Sequence, residues 1–124
     1  MILGLGGAYS GKLEFVKEKY KVSDHDIFYC EKETLDFSKK VICGLHIFTY
    51  TNSLNNISSL EIIKDNIELL KDKIIICDEI SSGIVPLKKE ERVWREDTGK
   101  VLQYLSKNAD KVIRIFCGIE TKIK

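Results

Sequence analysis

The sequence predicts a doubly wound α/β fold, three layers deep, around a mainly parallel sheet of five or six strands. Three observations predict it. Apolar runs alternate with helix-spaced patterns along all 124 residues, one of those runs is apolar without a break, and a glycine-rich segment joins the first run to the first helical pattern.

Met1 to Leu5 reads as a short buried strand that runs into Gly6, Gly7 and Gly11, after which Lys12 to Lys21 carries Leu13, Val16 and Tyr20 at helical spacing. Ile27 to Cys30 is a second strand. The segment Val41 to Tyr50 holds a third, with Gly44 and His46 complicating its register, and Thr51 to Ser59 reads as a polar loop. Ser58 or Ser59 caps a helix reaching Leu70, whose Leu60, Ile63, Ile67 and Leu70 form one apolar stripe. Lys73 to Glu79 is a continuous apolar strand that ends in two acids, a pattern suited to a parallel strand buried on both faces. After a loop from Ile80 to Pro86 a long helix fits Lys88 to Lys107, Lys111 to Cys117 is a strand, and Ile119 to Lys124 fits a last edge strand. This makes three helices in one domain, residues 1–124.

Composition narrows the function classes. With 44% apolar and 31% charged residues and a single proline, the chain has a globular composition rather than a disordered one. A formal charge of +1 gives no net field toward nucleic acid or an anionic membrane, and no apolar run approaches the ~20 residues of a membrane span. A cytoplasmic location is the default expectation. Cys30, Cys43, Cys77 and Cys117 lie far apart without CxxC spacing, each at or beside an apolar run, and are expected to be buried reduced thiols.

Gly6-Gly7-Ala8-Tyr9-Ser10-Gly11-Lys12 fulfils G-x-x-x-x-G-K between a strand and a helix, where a phosphate-binding loop belongs. Glycines let successive N–H groups turn inward toward phosphate oxygens, the helix N-terminus adds partial positive charge, and Lys12 reaches the β- and γ-phosphates. Leu13 occupies the place of the Ser or Thr whose hydroxyl ligates magnesium. The plain alternative is a glycine-rich turn with a chance lysine. Asp78 and Glu79 arrive at the C-terminal end of their strand, the edge where open α/β sheets bind ligands, and are the leading acids for catalysis or for holding Mg2+; otherwise they are two solvated acids.

The remaining polar residues carry weaker signals. His25, between two acids, reads as an exposed loop residue, and His46, inside an apolar stretch, as a satisfied core histidine or a residue with a chemical role. Val93 and Trp94 pack with Val101, Leu102 and Leu105, against the sheet or a second subunit. Arg92 and Arg95, one turn apart, form a solvated face or meet an anion.

The second half of the chain carries a more specific pattern. Gly83-Ile84-Val85-Pro86 is followed by Arg92-x-x-Arg95-x-x-x-Gly99-x-Val101-x-Gln103-x-Leu105, by Ala109-Asp110-x-Val112, and by the ending Gly118-Ile119-x-x-Lys122-Ile123-Lys124. This resembles the bifunctional adenosylcobinamide kinase/adenosylcobinamide-phosphate guanylyltransferase family of cobalamin biosynthesis, as does the Gly6 to Lys12 loop. The resemblance implies a P-loop NTPase-like fold and a homo-oligomer. It also implies phosphorylation of the aminopropanol hydroxyl of adenosylcobinamide by ATP or GTP, followed by GMP transfer through a guanylylated histidine. By position, Gly7, Ser10, Gly11 and Lys12 bind phosphates within a loop set of Gly6, Gly7, Ala8, Tyr9, Ser10, Gly11, Lys12 and Leu13. Glu79 matches the acid ahead of the Gly-Ile-Val-Pro turn, and Asp78 stands where an Asn is usual.

Two departures from the family pattern matter. Leu13 replaces a serine, leaving Mg2+ to Asp78 and Glu79, and the segment that carries the nucleophilic histidine is absent, because Cys30 passes to Val41 in a short loop without histidine. His46 matches the third strand in this comparison. The guanylyltransferase half is therefore expected to be lost, and two functions stay open: a nucleotide-dependent kinase using Lys12, Asp78 and Glu79, or a catalytically inactive nucleotide- or cobamide-binding module. A structural domain without a ligand is the third reading.

Overall fold

The computed structural model describes residues 1–80 and 88–124. One six-stranded sheet runs β2-β3-β4-β1-β5-β6, built from β1 (Ile2–Gly6), β2 (Ile27–Tyr29), β3 (Val41–Cys43), β4 (Ile74–Asp78), β5 (Lys111–Phe116) and β6 (Ile119–Lys122). The first five strands are parallel and β6 is antiparallel to β5. Such an order needs crossover connections between parallel strands, which helices supply everywhere except between β2 and β3, where residues 30–40 form an irregular loop.

The helices are α1 (Lys12–Tyr20), α2 (Leu45–Leu54), α3 (Ser59–Asp65), α4 (Ile67–Leu70) and α5 (Lys89–Asn108). They cover both faces. On one face Leu3, Ile42, Ile75, Cys77 and Val112 of the sheet are buried with Phe48 of α2, Ile63 of α3, Leu70 of α4 and Val101 and Leu105 of α5. On the other, Ile74 and Ile76 are buried with Val16 of α1 and with Val22, Ile27 and Val41. The alternation of β4 divides its side chains between these two cores, so its uninterrupted apolar run is explained by burial on both sides. This is the three-layer architecture that the sequence predicts.

Four expectations are corrected. The third strand stops at Cys43, and the rest of that strand with the first part of the polar loop, to Leu54, is helix α2; the loop itself is shorter, from Asn55 to Ser58. Gly44 makes the change of direction, with φ 84° and its N–H donating to the Ile76 carbonyl at 2.9 Å. The β-branched and aromatic residues of α2 favour a strand locally, but Leu45, Phe48, Thr49 and Asn52 are buried at helical spacing, and this packing overrides the propensity. His46 therefore lies in the first turn of a helix. The helix from Ser58 is capped as expected, Ser58 Oγ accepting from the Glu61 N–H, but it breaks at Asn66 into α3 and α4. With α2 the described helices number five, not three.

The fourth correction concerns the cysteines. All four are free, and Cys30 and Cys77 are buried, but Cys43 is half-buried and Cys117 exposed. Burial pushes the Cys30 thiol up to about 12 and Cys77 higher still, which leaves both protonated and inert. Cys117 is exposed because the chain turns there: Phe116 pairs with Ile119 across β5 and β6, and Cys117 and Gly118 have φ of 52° and 73°, the two positive angles of a tight hairpin turn. The Gly83 to Pro86 turn lies outside the described residues.

Candidate functional site

β1 ends at Gly6 beside Asp78 of β4, its register partner, and the chain then curls through Gly7 to Gly11 into α1. Close packing dictates the glycine at position 6. A Cβ there would lie 2.5 Å from the Ile115 carbonyl oxygen and 2.6 Å from Ser10 Oγ, so only glycine fits between β5 and the returning loop. Gly11, with φ 83°, occupies the N-cap of α1 and offers no side chain to its free N–H groups. The helix thus opens uncapped toward the loop.

Lys12, 8% exposed, folds back over this opening. Its Nζ donates to the Gly7 carbonyl at 2.7 Å and lies 2.7 Å from Asp78 Oδ1. Asp78 meets a second side chain on the opposite wall. Its backbone N–H donates to His46 Nδ1 at 3.2 Å, and its Oδ2 is 3.4 Å from His46 Nε2. Burial holds the His46 pKa below its ordinary value, outweighing the upward pull of Asp78, so the ring is neutral with Nδ1 as acceptor and its proton on Nε2. These groups line a cavity of ≈ 170 Å³ together with Tyr9, Ser10, Leu13, Glu14, Cys43, Gly44 and Ile76.

Glu79 faces elsewhere. Successive strand residues point to opposite faces, so Asp78 shares the α1 side with Ile74 and Ile76, whereas Glu79 joins Leu5 and Arg114 on the other side. Its Oε2 accepts from Arg114 at 3.0 Å, while its backbone N–H extends the β1 pairing to the Gly6 carbonyl at 2.8 Å. The hairpin between β5 and β6 supports the loop from outside. Gly118 N–H donates to the Ser10 carbonyl at 2.9 Å, and a Cβ on Gly11 would lie 3.4 Å from Gly118 Cα. Two of the glycines singled out in the sequence therefore meet, one from each end of the chain.

A family model described as cobinamide kinase / cobinamide phosphate guanyltransferase matches residues 47–123, more than half of the chain. The chain belongs to the cobinamide kinase / cobinamide phosphate guanyltransferase family. No curated protein matches it. Membership brings a cobinamide kinase/guanyltransferase-like function, with nucleotide use and a tie to cobalamin biosynthesis. The matched residues of this cobinamide kinase / cobinamide phosphate guanyltransferase family member run from α2 to the last strand and include Asp78, Glu79 and the hairpin at Gly118. The Gly6 to Leu13 loop precedes them.

Of the residues the sequence singles out, Gly6, Gly7, Ser10, Gly11, Lys12 and Asp78 adjoin one another in this family member, whereas Glu79 is turned to Arg114. Tyr9 is fully exposed in the left-handed region, φ 62°, and Ala8 is exposed beside it. His25 is exposed in a 3-10 turn, Asp24–Asp26, remote in sequence and fold from the cavity. Trp94 packs on α2, its indole N–H donating to the His46 carbonyl at 2.9 Å and the ring meeting Tyr50 edge-on. The residues missed are Arg114, Cys43 and the position of His46. Arg114 interrupts an otherwise apolar β5, and that interruption is the signal that marks it. Among the described residues no helix is long and apolar enough to cross a membrane.

Proposed function

We propose that the Gly6 to Leu13 loop binds the β- and γ-phosphates of ATP or GTP, and that the chain acts as a kinase of the adenosylcobinamide type without guanylyltransferase activity. The observation that carries this reading is the placement of Lys12. Its ammonium sits over an uncapped helix N-terminus, held by the Gly7 carbonyl and Asp78, so a phosphate entering there meets a cation already at the loop and backbone donors of the helix start. The cavity is smaller than the roughly 300–1,000 Å³ that encloses a drug-sized ligand, so it takes the phosphate end and leaves the nucleoside outside. Asp78, at the same point, is the acid placed to take the proton of an attacking hydroxyl.

Magnesium fits this donor set poorly. The Leu13 side chain carries no oxygen, Asp78 has one carboxylate oxygen on Lys12 and the other beside His46, and Glu79 is turned to Arg114. These residues do not hold the ion by themselves, and no group of three His, Cys, Asp or Glu among the described residues is arranged to do so. The same commitment of both acids favours a second reading, in which the chain binds nucleotide or cobamide as a partner or regulatory module without turnover.

Incubation with γ-labelled ATP and adenosylcobinamide separates the two. Label transferred to adenosylcobinamide by the parent and lost in Lys12→Ala supports the kinase. Nucleotide binding without transfer supports the module. A companion experiment with α-labelled GTP, followed by denaturing electrophoresis, is expected to show no labelled protein. The histidine-bearing segment is missing, and the basic Nδ1 of His46 already accepts the Asp78 N–H. A retained label that disappears in His46→Ala overturns that expectation.

A further inference from the structure

We propose that His46 is a positioning residue that holds the Asp78 carboxylate in place when Lys12 turns from it to an incoming phosphate. The proposal rests on the phosphate-loop reading above. In the ligand-free arrangement Asp78 Oδ1 has Lys12 at 2.7 Å, and a phosphate must share or take that cation. Asp78, with its side chain 26% exposed, then stands next to a polyanion with its strongest partner withdrawn. Glu14, which also lines the cavity, carries the same sign and offers it nothing. The neutral His46 ring presents Nε2–H to the other oxygen, Oδ2, at 3.4 Å, close enough to shorten into a full hydrogen bond as Lys12 leaves.

The ring is fixed for this task from three sides. The Asp78 N–H holds Nδ1, which fixes the tautomer; the Trp94 indole holds the His46 carbonyl; and the Gly44 N–H ties the start of α2 to β4 through the Ile76 carbonyl. A histidine that served only to fill space in the core would not need both ring nitrogens against the same acid.

The test compares His46→Gln, whose terminal amide nitrogen stands in for Nε2, with His46→Asn, whose shorter amide reaches only the Nδ1 position, and with His46→Leu. ATP affinity is measured by titration calorimetry and the melting temperature of each ligand-free protein is recorded alongside. His46→Leu and His46→Asn are expected to weaken ATP binding about tenfold or more, the loss of one hydrogen bond to a charged group, while His46→Gln stays within about threefold of the parent. Equal affinity across Gln, Asn and Leu overturns the proposal and leaves the phosphate loop standing. If His46→Leu fails to fold, the Gln and Asn pair decides by the same criterion. A parent that binds no ATP removes the phosphate-loop reading and this proposal together.

Discussion

Gly6→Ala is expected to abolish nucleotide binding and to lower stability by about 1–3 kcal/mol, the usual cost of forcing an extra carbon into a packed site. The added Cβ would sit 2.5 Å from the Ile115 carbonyl oxygen, which is backbone of a central strand and has no rotamer to change, and 2.6 Å from Ser10 Oγ. Either β1 separates from β5 or the loop is pushed outward, and both move Lys12, whose Cδ lies 3.2 Å from the same point. Gly7→Ala is the matched control. Nothing lies within 4 Å of a Cβ at that position, so its melting temperature should follow the parent's. Chemical denaturation of both variants, with nucleotide titration, checks the contrast.

Lys12→Ala is expected to have the second large effect. It removes a charge-assisted contact to the phosphates, on the order of 1.5–3 kcal/mol of binding, or about tenfold to more than a hundredfold in affinity. It also leaves Asp78 Oδ1 without its cation, and the ligand-free protein is expected to lose about 1–3 kcal/mol of stability for that reason. Pairing Lys12→Ala with Asp78→Asn tests the second effect. The double variant, which has no uncompensated carboxylate, should be more stable than Lys12→Ala alone and should still bind nucleotide poorly.

The phosphate loop and the binding loss in Lys12→Ala are legible in the sequence, because they depend on local order; the clash at Gly6 is not, since it comes from β5 at the far end of the chain. An apolar strand, a glycine loop with a lysine, and a helix follow one another within the first 20 residues, and the continuous Ile74 to Cys77 run identifies β4 as the strand that delivers an acid. What local order does not show is which of two consecutive acids faces the loop. That follows from the pleat, which sends Asp78 to the α1 side and Glu79 to Arg114, and it requires knowing which face α1 covers. His46 was obscured for a different reason. A segment rich in Ile, Phe, Thr and Tyr has strand propensity, and only the buried positions of α2, set by packing on α5 and the sheet, make it a helix whose first turn enters the cavity. Cys117 belongs to the same class of miss, since the apolar run through Phe116 hides the turn that follows it.

If Lys12 and the Gly6 to Leu13 loop hold the phosphates of a nucleoside triphosphate, the chain binds ATP or GTP through that lysine. Titration calorimetry of the full chain with ATP and with GTP, each repeated on Lys12→Ala, tests it most directly. Saturable binding of at least one triphosphate to the parent and a loss of about tenfold or more in Lys12→Ala are expected. Equal binding by the parent and Lys12→Ala, or no binding of either nucleotide by the parent, would contradict it.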